Sequence, residues 1–428
     1  MPPPGPGDPL RIALLVYRGN PHSGGQGVYT RELAKELVRL GHRVTVFAGQ
    51  PWPQLTEGVD FVPVPSLDLY HPDHPFRPPL HPRAYSSWID LLEVALMSTG
   101  AFPEPLTFSL RARRLLAARR ADFDLVHDNQ CLGRGIGGLL DDGWPMLATL
   151  HHPITVDRAL DLRHAETRRR RLGLRRWYSF LGMQMRVLPR IPRVVTVSES
   201  SKRDICAEMG ARPDRVHIVP VGVDPDRFRP LPDVAEVPGR IVCTTSSDMP
   251  LKGLVPLLEA VAKLRTERPE VELHVVGGPR QGSAIPGHLD RLGLEDAVVF
   301  HKGIESSAIT ELYASCQVAC VPSLYEGFSL PAIEAMACAV PLVATSGGAL
   351  PEVVGPDGEA GVLVPPGDPE ALAAALDRVL HDGELRHRLG AAGRARVLER
   401  FTWRRCAEET VAHYRWSIAD HARRNGPG

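Results

Sequence analysis

Short apolar runs alternate with stretches of helical periodicity along most of this chain. Residues 10–16 form the first run, which leads through the glycine-rich segment 18–27 into an amphipathic helix. Gly41 ends this helix, and the next run begins at Val44. A strand–helix–strand unit of this kind predicts a sheet of parallel strands with helices on both faces. The apolar face of the helix is predicted to comprise Val28, Leu33, Leu37 and Leu40.

The alternation continues in two series, separated by the proline-rich stretch 220–238. In the first series, strands are predicted at 124–127, 146–150 and 193–197, and a serine-capped helix from Ser198. In the second, strands are predicted at 241–244, 272–276, 298–301, 318–321 and 341–344, with a helix at 254–265.

A chain of 428 residues exceeds what one hydrophobic core usually organises. We therefore predict an α/β protein with two doubly wound Rossmann-like domains, 10–222 and 223–400. Open parallel sheets bind ligands at the carboxyl ends of their strands, so the two domains are expected to face each other across a ligand-binding cleft. Residues 1–9 are predicted to be a disordered tail, and residues 401–428 a helix that returns toward the N-terminal domain.

Composition is that of an ordinary globular protein. The formal net charge is zero, so no global field attracts nucleic acid. No signal peptide or run of 18 apolar residues is found, and the scattered cysteines favour a reduced, cytoplasmic setting. Cys316 and Cys320 are predicted to lie one turn apart in a helical stretch, as buried small hydrophobic residues. We expect neither a metal site nor a cofactor.

The segment from Glu326 to Glu334 carries the strongest functional signal. A predicted strand ends just before it, and Pro331 suits the first turn of a helix that begins there. Backbone N–H groups of residues 328–330 would lie at the helix N-terminus, which is suited to bind a diphosphate. Glu334 is placed to accept hydrogen bonds from ribose hydroxyls; a solvated helix acid is the alternative.

Further segments match in order: Gly41-His-Arg-Val, Thr196-Val-Ser-Glu-Ser, Pro341-Leu-Val-Ala-Thr-Ser-Gly-Gly and Gly361-Val-Leu-Val-Pro-Pro-Gly-Asp. Together with Glu326-Gly-Phe-Ser-Leu-Pro-Ala-Ile-Glu334 they resemble glycosyltransferase family 4, a retaining family of the GT-B fold, from residue 10 to residue 401. The resemblance implies metal-independent transfer of a hexose-type sugar from a UDP or GDP sugar to a glycan, lipid or small-molecule acceptor.

The resemblance also implies a role for each matching residue. His151 would contact the transferring sugar, and Lys252 would neutralise the leaving diphosphate. Glu326 would hold the donor sugar and Glu334 the ribose. The donor phosphates would be approached by the loop of Gly24 and Gly25 and bound by the backbone of Gly327, Phe328, Ser329 and Leu330.

Ser247 departs from the family pattern, which usually has an arginine five residues before the lysine. Loss of one fixed donor costs roughly 2–4 kcal/mol of transition-state stabilisation. We predict that Arg280, after the strand at 272–276, supplies the missing charge; an exposed loop arginine is the alternative. Lys252, Arg280 and the helix amides would then stabilise the departing diphosphate without a dedicated general base.

Three other motifs have simpler structural interpretations. Residues 133–138 match G-x-G-x-x-G but lack a ribose-binding acid about 20 residues further on, so close helix packing is favoured. Asp122 and Asp124 have D-x-D spacing but precede an apolar strand, which favours a capping or loop role. The histidines in the proline-rich stretch 71–81 are expected in an irregular loop, either as acceptor contacts or as plain surface.

Two basic clusters occur in the predicted N-terminal domain. One runs from Arg168 to Arg176 and continues into the aromatic segment that starts at Trp177; residues 111–120 form the other. The first predicts peripheral contact with an anionic membrane, although a solvated charged helix leading into a buried one would look the same.

The sequence leaves other classes of function open. A nucleotide-sugar binding protein without turnover and a GT-B-fold nucleotide-sugar 2-epimerase are the alternatives. Base recognition is expected near Gly277 and residues 301–304, and acceptor recognition on N-terminal loops that include 88–105. We expect a monomer or a homodimer.

Overall fold

The structure is a computed structural model that describes Gly5 and residues 7–20, 25–71, 76–79, 81–163, 165–245, 249–280 and 282–425. The chain divides into two units. The first contains residues up to 197, residues 201–219 and the C-terminal segment from 406, and the second contains residues 198–200 and 220–405.

A parallel sheet of seven strands forms the first unit, in the order β3-β2-β1-β4-β5-β6-β7. Its strands are β1 (Arg11–Val16), β2 (Arg43–Ala48), β3 (Asp60–Pro63), β4 (Leu125–Asn129), β5 (Met146–Leu150), β6 (Val194–Thr196) and β7 (Val216–Ile218). The helices are α1 (Gly25–Arg39), α2 (Trp88–Ser98), α3 (Glu104–Ala117), α4 (Arg134–Asp141), α5 (Ile154–Arg163), α6 (Arg168–Trp177), α7 (Leu181–Val187) and α8 (Glu199–Met209).

The second unit contains a parallel sheet of six strands, in the order β10-β9-β8-β11-β12-β13. Its strands are β8 (Val237–Thr244), β9 (Glu272–Val276), β10 (Val298–His301), β11 (Cys316–Val321), β12 (Leu342–Thr345) and β13 (Val362–Val364). The helices are α9 (Leu254–Arg265), α10 (Ile285–Leu292), α11 (Ser306–Ala314), α12 (Leu330–Ala337), α13 (Leu350–Val354), α14 (Pro369–His381) and α15 (Gly383–Arg400), followed by α16 (Trp403–Asn425).

Burial on both faces of each sheet explains the apolar runs in the sequence. Every residue of β1 after Arg11 is fully buried, because helices cover the strand from both sides. In the second unit, Leu257, Leu258 and Val261 of α9 pack in one cluster with strand residues such as Leu273. The predicted α/β class with two Rossmann-like units is confirmed.

Helix α16 returns to the first unit. The Nδ1 atom of buried His127 lies 2.6 Å from the hydroxyl of Tyr414, and Arg193 donates to His413 over 3.0 Å. Arg415 donates to the carbonyl oxygens of Gly5 and Asp8. These hydrogen bonds involve two residues of the segment 1–9; residues 1–4 and 6 lie outside the described residues, and the disordered tail stays a prediction.

Most predicted strands agree with the structure, and 146–150, 272–276 and 298–301 agree at both ends. The helical interpretation of Cys316 and Cys320 is wrong, since both lie in strand β11. A strand between two neighbours and covered on both faces lacks the alternation that distinguishes a strand from a buried helix. Both thiols are buried, as predicted.

Close packing of helices explains the G-x-G-x-x-G match. A Cβ atom on Gly135 would lie 1.9 Å from the carbonyl oxygen of Ser109 in α3, and one on Gly133 would lie 2.2 Å from the carbonyl of Pro105. Asp124 of the D-x-D pair accepts hydrogen bonds from the backbone and guanidinium of Arg11. Both motifs therefore have the structural roles favoured above.

Within the described ranges, no helix combines the length and the apolar character needed to cross a bilayer.

Candidate active site

Lys252 and Glu326, which are far apart in sequence, form an ion pair in the second unit. The Lys252 ammonium donates to both carboxylate oxygens of Glu326, at 2.9 and 3.1 Å. The lysine side chain is 30% exposed and the glutamate side chain 12%. The pair is thus partly desolvated, which strengthens its attraction relative to a surface ion pair, and it stays accessible from one side.

A glycine brings the lysine turn against the end of a strand. Lys252 ends a short 3-10 turn, and Gly253 follows with φ of 66°. A Cβ at Gly253 would lie 1.9 Å from the carbonyl oxygen of Pro322, directly after β11. The N–H of Leu324 donates to the carbonyl of Leu251 over 2.7 Å, which joins the two loops. Only glycine permits this approach.

Ser323 and the segment of Gly348 and Ala349 hold the Glu326 loop. Ser323 donates its hydroxyl to Glu326 Oε1 over 2.7 Å, and the N–H of Ala349 donates to the Glu326 carbonyl over 2.8 Å. Gly348 has φ of 63°, and a Cβ there would lie 2.2 Å from that carbonyl. The Ser-Gly-Gly part of the family resemblance therefore has a steric reason, because the backbone of Gly348 packs beneath the acidic loop.

Helix α12 begins four residues after Glu326. Ser329 is its N-cap, with a side chain that accepts from the N–H of Ala332, and Pro331 lies in the first turn. Tyr313, whose hydroxyl lies 2.9 Å from that of Thr244, reaches the carbonyl of Pro331 at 3.4 Å. The predicted helix start is confirmed, and it places the backbone of Gly327, Phe328 and Leu330 at the positive end of the helix dipole.

Glu334 lies one turn into α12 and is half-buried. Burial raises the pKa of its carboxyl to about 7, although the positive charge of Arg227 acts in the opposite direction. Near neutral pH this group is therefore divided between its protonated and ionised forms, so a ligand that donates hydrogen bonds to it would favour the ionised form.

Arg280, which was predicted to supply the positive charge missing at position 247, follows β9. Arg280 is exposed, and its carbonyl accepts from the N–H of Ser283. Lys302, which sequence reasoning missed, donates to the carbonyl of Pro279 over 2.9 Å from the end of β10. Two cations thus border one loop. Ser247 lies outside the described residues, and the replacement by Arg280 stays a prediction.

His151 follows β5 in the first unit, where hydrogen bonds and an aromatic contact hold it. Its Nε2 atom lies 2.9 Å from Asn129 Oδ1, its N–H donates to Gln130 Oε1 over 2.8 Å, and the ring stands edge-on to Tyr29. Gln130 also donates to the carbonyl of His152 over 2.8 Å. Burial lowers the pKa of His151 to about 3, so its imidazole is neutral at physiological pH.

Asn129 determines which nitrogen of His151 carries the proton. The Asn129 amide nitrogen donates to Thr30 Oγ1 over 3.0 Å and to the carbonyl of Gln26 over 3.3 Å. Thr30 gives its own proton to that carbonyl, so its oxygen accepts from Asn129. The remaining Oδ1 atom of Asn129 must accept from His151 Nε2–H, which leaves Nδ1 as a hydrogen-bond acceptor for a ligand hydroxyl.

Of the two glycines predicted near the donor phosphates, Gly24 lies outside the described residues and Gly25 begins α1. Gly25 is exposed, and within the described part of the chain no atom lies within 4 Å of a Cβ position there. Gly27, which sequence reasoning missed, is required sterically, since a Cβ there would lie 1.8 Å from the carbonyl of Asn20.

The region predicted for base recognition includes His301 and Gly277. His301, the last residue of β10, stacks on His274, and their ring nitrogens lie 2.9 Å apart. Gly277 follows β9 with φ of 117°.

The region predicted for acceptor recognition, 88–105, was expected to be loop. This is wrong for most of it, because a Ser87 capping box starts α2 at Trp88.

The two basic clusters differ in exposure. The side chain of Arg111 is 10% exposed and pairs with Asp90 and Glu93, and other arginines of 111–120 pair with Asp142 or stack on aromatic rings. Helix α6 has no buried residue, and Leu172 on it is 64% exposed. The following α7 is buried through Leu181, Gln184 and Val187. This pattern agrees with a solvated charged helix that leads into a buried one.

Comparison with known proteins identifies relatives over nearly the whole chain. The family model described as Glycosyltransferase Family 4 matches residues 23–227, and that described as Glycosyl transferases group 1 matches residues 235–396. The protein named MMP alpha-(1->4)-mannosyltransferase from Mycolicibacterium hassiacum is 49% identical over 411 residues, which cover 96% of this chain and 99% of the relative.

Two further relatives are more distant. A D-inositol 3-phosphate glycosyltransferase from Kineococcus radiotolerans is 30% identical over 456 residues, with 97% of each chain covered. Among solved structures, sucrose-phosphate synthase from Thermosynechococcus elongatus superimposes with a TM-score of 0.72 at 25% identity, over 96% of this chain and 99% of that one.

Proposed function

Because this chain belongs to glycosyltransferase family 4 and has the GT-B fold, we propose that it transfers a mannosyl residue from a nucleotide diphosphate sugar, UDP- or GDP-linked, to a saccharide acceptor. The proposal extends to retention of configuration and to independence from metal ions. The choice of sugar rests on the mannosyltransferase relative at 49% identity.

The observation that supports transferase chemistry most directly is the ion pair of Lys252 and Glu326 before the N-terminus of α12. When the sugar–phosphate bond breaks, negative charge builds on the diphosphate and positive charge on the sugar. Lys252 and the α12 amides stabilise the first charge, and Glu326 lies beside the second. Because Glu326 holds the ammonium in place, little reorganisation is needed as the charge develops.

His151 orients the sugar as a neutral hydrogen-bond acceptor. With its proton fixed on Nε2 by Asn129, the Nδ1 atom accepts from a sugar hydroxyl and adds no positive charge next to the forming oxocarbenium ion. A cationic imidazolium there would oppose the transition state, so the low pKa of His151 suits this role.

The proposal is tested by incubating the protein with GDP-mannose or UDP-sugars and α-1,4-linked mannose oligosaccharides. We expect mannosyl transfer that continues in excess EDTA, with an α-configured product by NMR. Conversion of donor to an epimerised sugar without transfer would support the epimerase instead. Tight donor binding with neither transfer nor hydrolysis would support a binding protein without turnover.

We also infer peripheral membrane contact through the six arginines from Arg168 to Arg176, all of which lie on the exposed helix α6 together with exposed Leu172. Vesicles containing anionic lipid are expected to co-sediment with the protein and less so after charge reversal of Arg168–Arg171. Sedimentation that ignores the reversal contradicts this inference. Sedimentation equilibrium tests the expectation of a monomer or a homodimer.

A further inference from the structure

Five aromatic side chains from separate segments form a cluster in the first unit: Tyr70, Phe76, Phe102, Trp177 and Phe180. Phe102 stacks on Trp177 with ring centroids 5.0 Å apart, and Tyr70 stands edge-on to Phe76, Phe102 and Trp177 at 5.2–5.6 Å. Phe102 and Phe180 are buried, Tyr70 and Trp177 are half-buried, and Phe76 is 58% exposed. The aromatic cluster therefore has a buried floor and an accessible rim.

The aromatic cluster adjoins the carboxyl end of the sheet that carries His151. Tyr17, which follows the last residue of β1, packs against it, as does Ile154, three residues after His151. Ligands of parallel sheets bind at this end of the strands. A molecule lying on the rim would thus be near the histidine proposed to contact the transferring sugar.

Phe76 holds an unfavourable backbone conformation without burying its ring. Its φ of 61° lies in the left-handed region, which is costly for a bulky residue, and its N–H donates to the Leu69 carbonyl over 2.7 Å. An exposed phenyl ring contributes little burial to offset that strain. Such residues persist mainly where a ligand uses them.

The guanidinium on the floor of the aromatic cluster is paired with a carboxylate. The Arg18 guanidinium lies 5.5 Å from the Tyr70 centroid and 5.3 Å from that of Phe102, and both oxygens of the buried Glu104 carboxylate accept from it. Among the described residues, the cation that contacts these rings is therefore already neutralised. Because Glu104 already accepts its hydrogen bonds, the Arg18 guanidinium is not available to bind a phosphate group of an acceptor. An uncharged acceptor needs no such cation.

We propose that the aromatic cluster binds an uncharged saccharide chain as the acceptor. One face of a pyranose ring is apolar and carries C–H bonds. This face stacks on aromatic rings, because the slightly positive C–H hydrogens are attracted to the negative ring faces. This inference rests on the proposed function and specifies the class of acceptor. The acceptor is a neutral glycan and not an inositol phosphate, which is part of the name of a more distant relative.

The test compares Phe76→Gly and Trp177→Ala with the control Phe61→Ala. Phe61 is also an exposed ring standing edge-on to another, Trp52 at 5.8 Å, but it lies on β3 outside the aromatic cluster. Phe76→Gly removes the ring and suits the left-handed backbone, so the fold should be kept. With α-1,4-linked mannose oligosaccharides, both variants are expected to raise the acceptor KM roughly tenfold. Donor KM and donor hydrolysis should be unchanged in both variants. Phe61→Ala should keep the native acceptor KM as well.

Equal effects in Phe61→Ala, an unchanged acceptor KM in both cluster variants, or preference for inositol 3-phosphate over the oligosaccharide would overturn the inference while transfer itself persists. If no transfer is seen, the proposed function fails separately, and titration of the oligosaccharide by calorimetry still decides: weaker binding in Phe76→Gly supports the site, and equal binding refutes it.

Discussion

A double-mutant cycle on Lys252 and Glu326 tests whether the two residues act as one device. At about 3 Å, and at an effective dielectric constant of about 20, two unit charges attract by roughly 5.5 kcal/mol before desolvation is subtracted. Because the pair is partly exposed, we expect a coupling energy of about 1–3 kcal/mol. Lys252→Met removes a preorganised cation and should lower kcat by about 10²–10³-fold.

If Glu326 acts mainly by holding the ammonium, Glu326→Gln should cost much less in the Lys252→Met background than in the native protein. Transfer is measured at saturating acceptor over a range of donor concentrations, with melting curves to check the fold. Lys263→Met serves as control, since Lys263 pairs with Glu370 on the surface of the same unit. Additivity of the two substitutions within about 0.5 kcal/mol would refute the reasoning and assign the residues independent roles.

Three other predictions follow from individual contacts. Asn129→Asp should raise the pKa of His151 from about 3, because a carboxylate stabilises the imidazolium. The pH profile of kcat/KM should then fall at acidic pH in Asn129→Asp but not in Asn129→Ala. A profile of Asn129→Asp identical to the native one contradicts this. Gly348→Ala and Gly293→Ala have the same φ of 63°, but only the first meets backbone at 2.2 Å, so it should melt lower and lose more activity; equal losses would contradict the steric argument. Donor affinity, measured by calorimetry, should rise with pH toward 7 as the Glu334 carboxyl ionises, and Glu334→Gln should abolish the rise; the same slope in both proteins would disprove the ribose role.

The fold could be predicted from sequence because its strands are apolar and its helices amphipathic. A strand was predicted at 318–321 within β11, but Cys316 and Cys320 were assigned to a helical stretch, because a strand buried on both faces shows no alternation around them. The edge strands β3, β7 and β13, each of three or four residues, were also missed.

Local sequence patterns alone predicted only the part of the candidate site around α12, whereas His151 and Lys252 were assigned to it through the family resemblance. The start of α12 followed from Pro331 and the preceding strand. The pairing of Lys252 with Glu326 joins residues 74 positions apart, and no local pattern encodes it. Asn129 and Gln130 could have been predicted as site residues, because polar residues at the carboxyl end of a buried parallel strand lie where ligands bind.

The return of α16 to the first unit affects the order in which the chain can fold during synthesis. His127 is buried, and Tyr414 is the partner of its Nδ1 atom, so the packing on the N-terminal sheet is complete only when residues near the end of the chain have been made. Domains usually fold from the N-terminus as they leave the ribosome. Here residues 220–405 of the second unit precede the last segment of the first unit, so the second unit can finish folding earlier. A nascent chain that stalls before Tyr414 would leave the His127 ring without this hydrogen-bond partner.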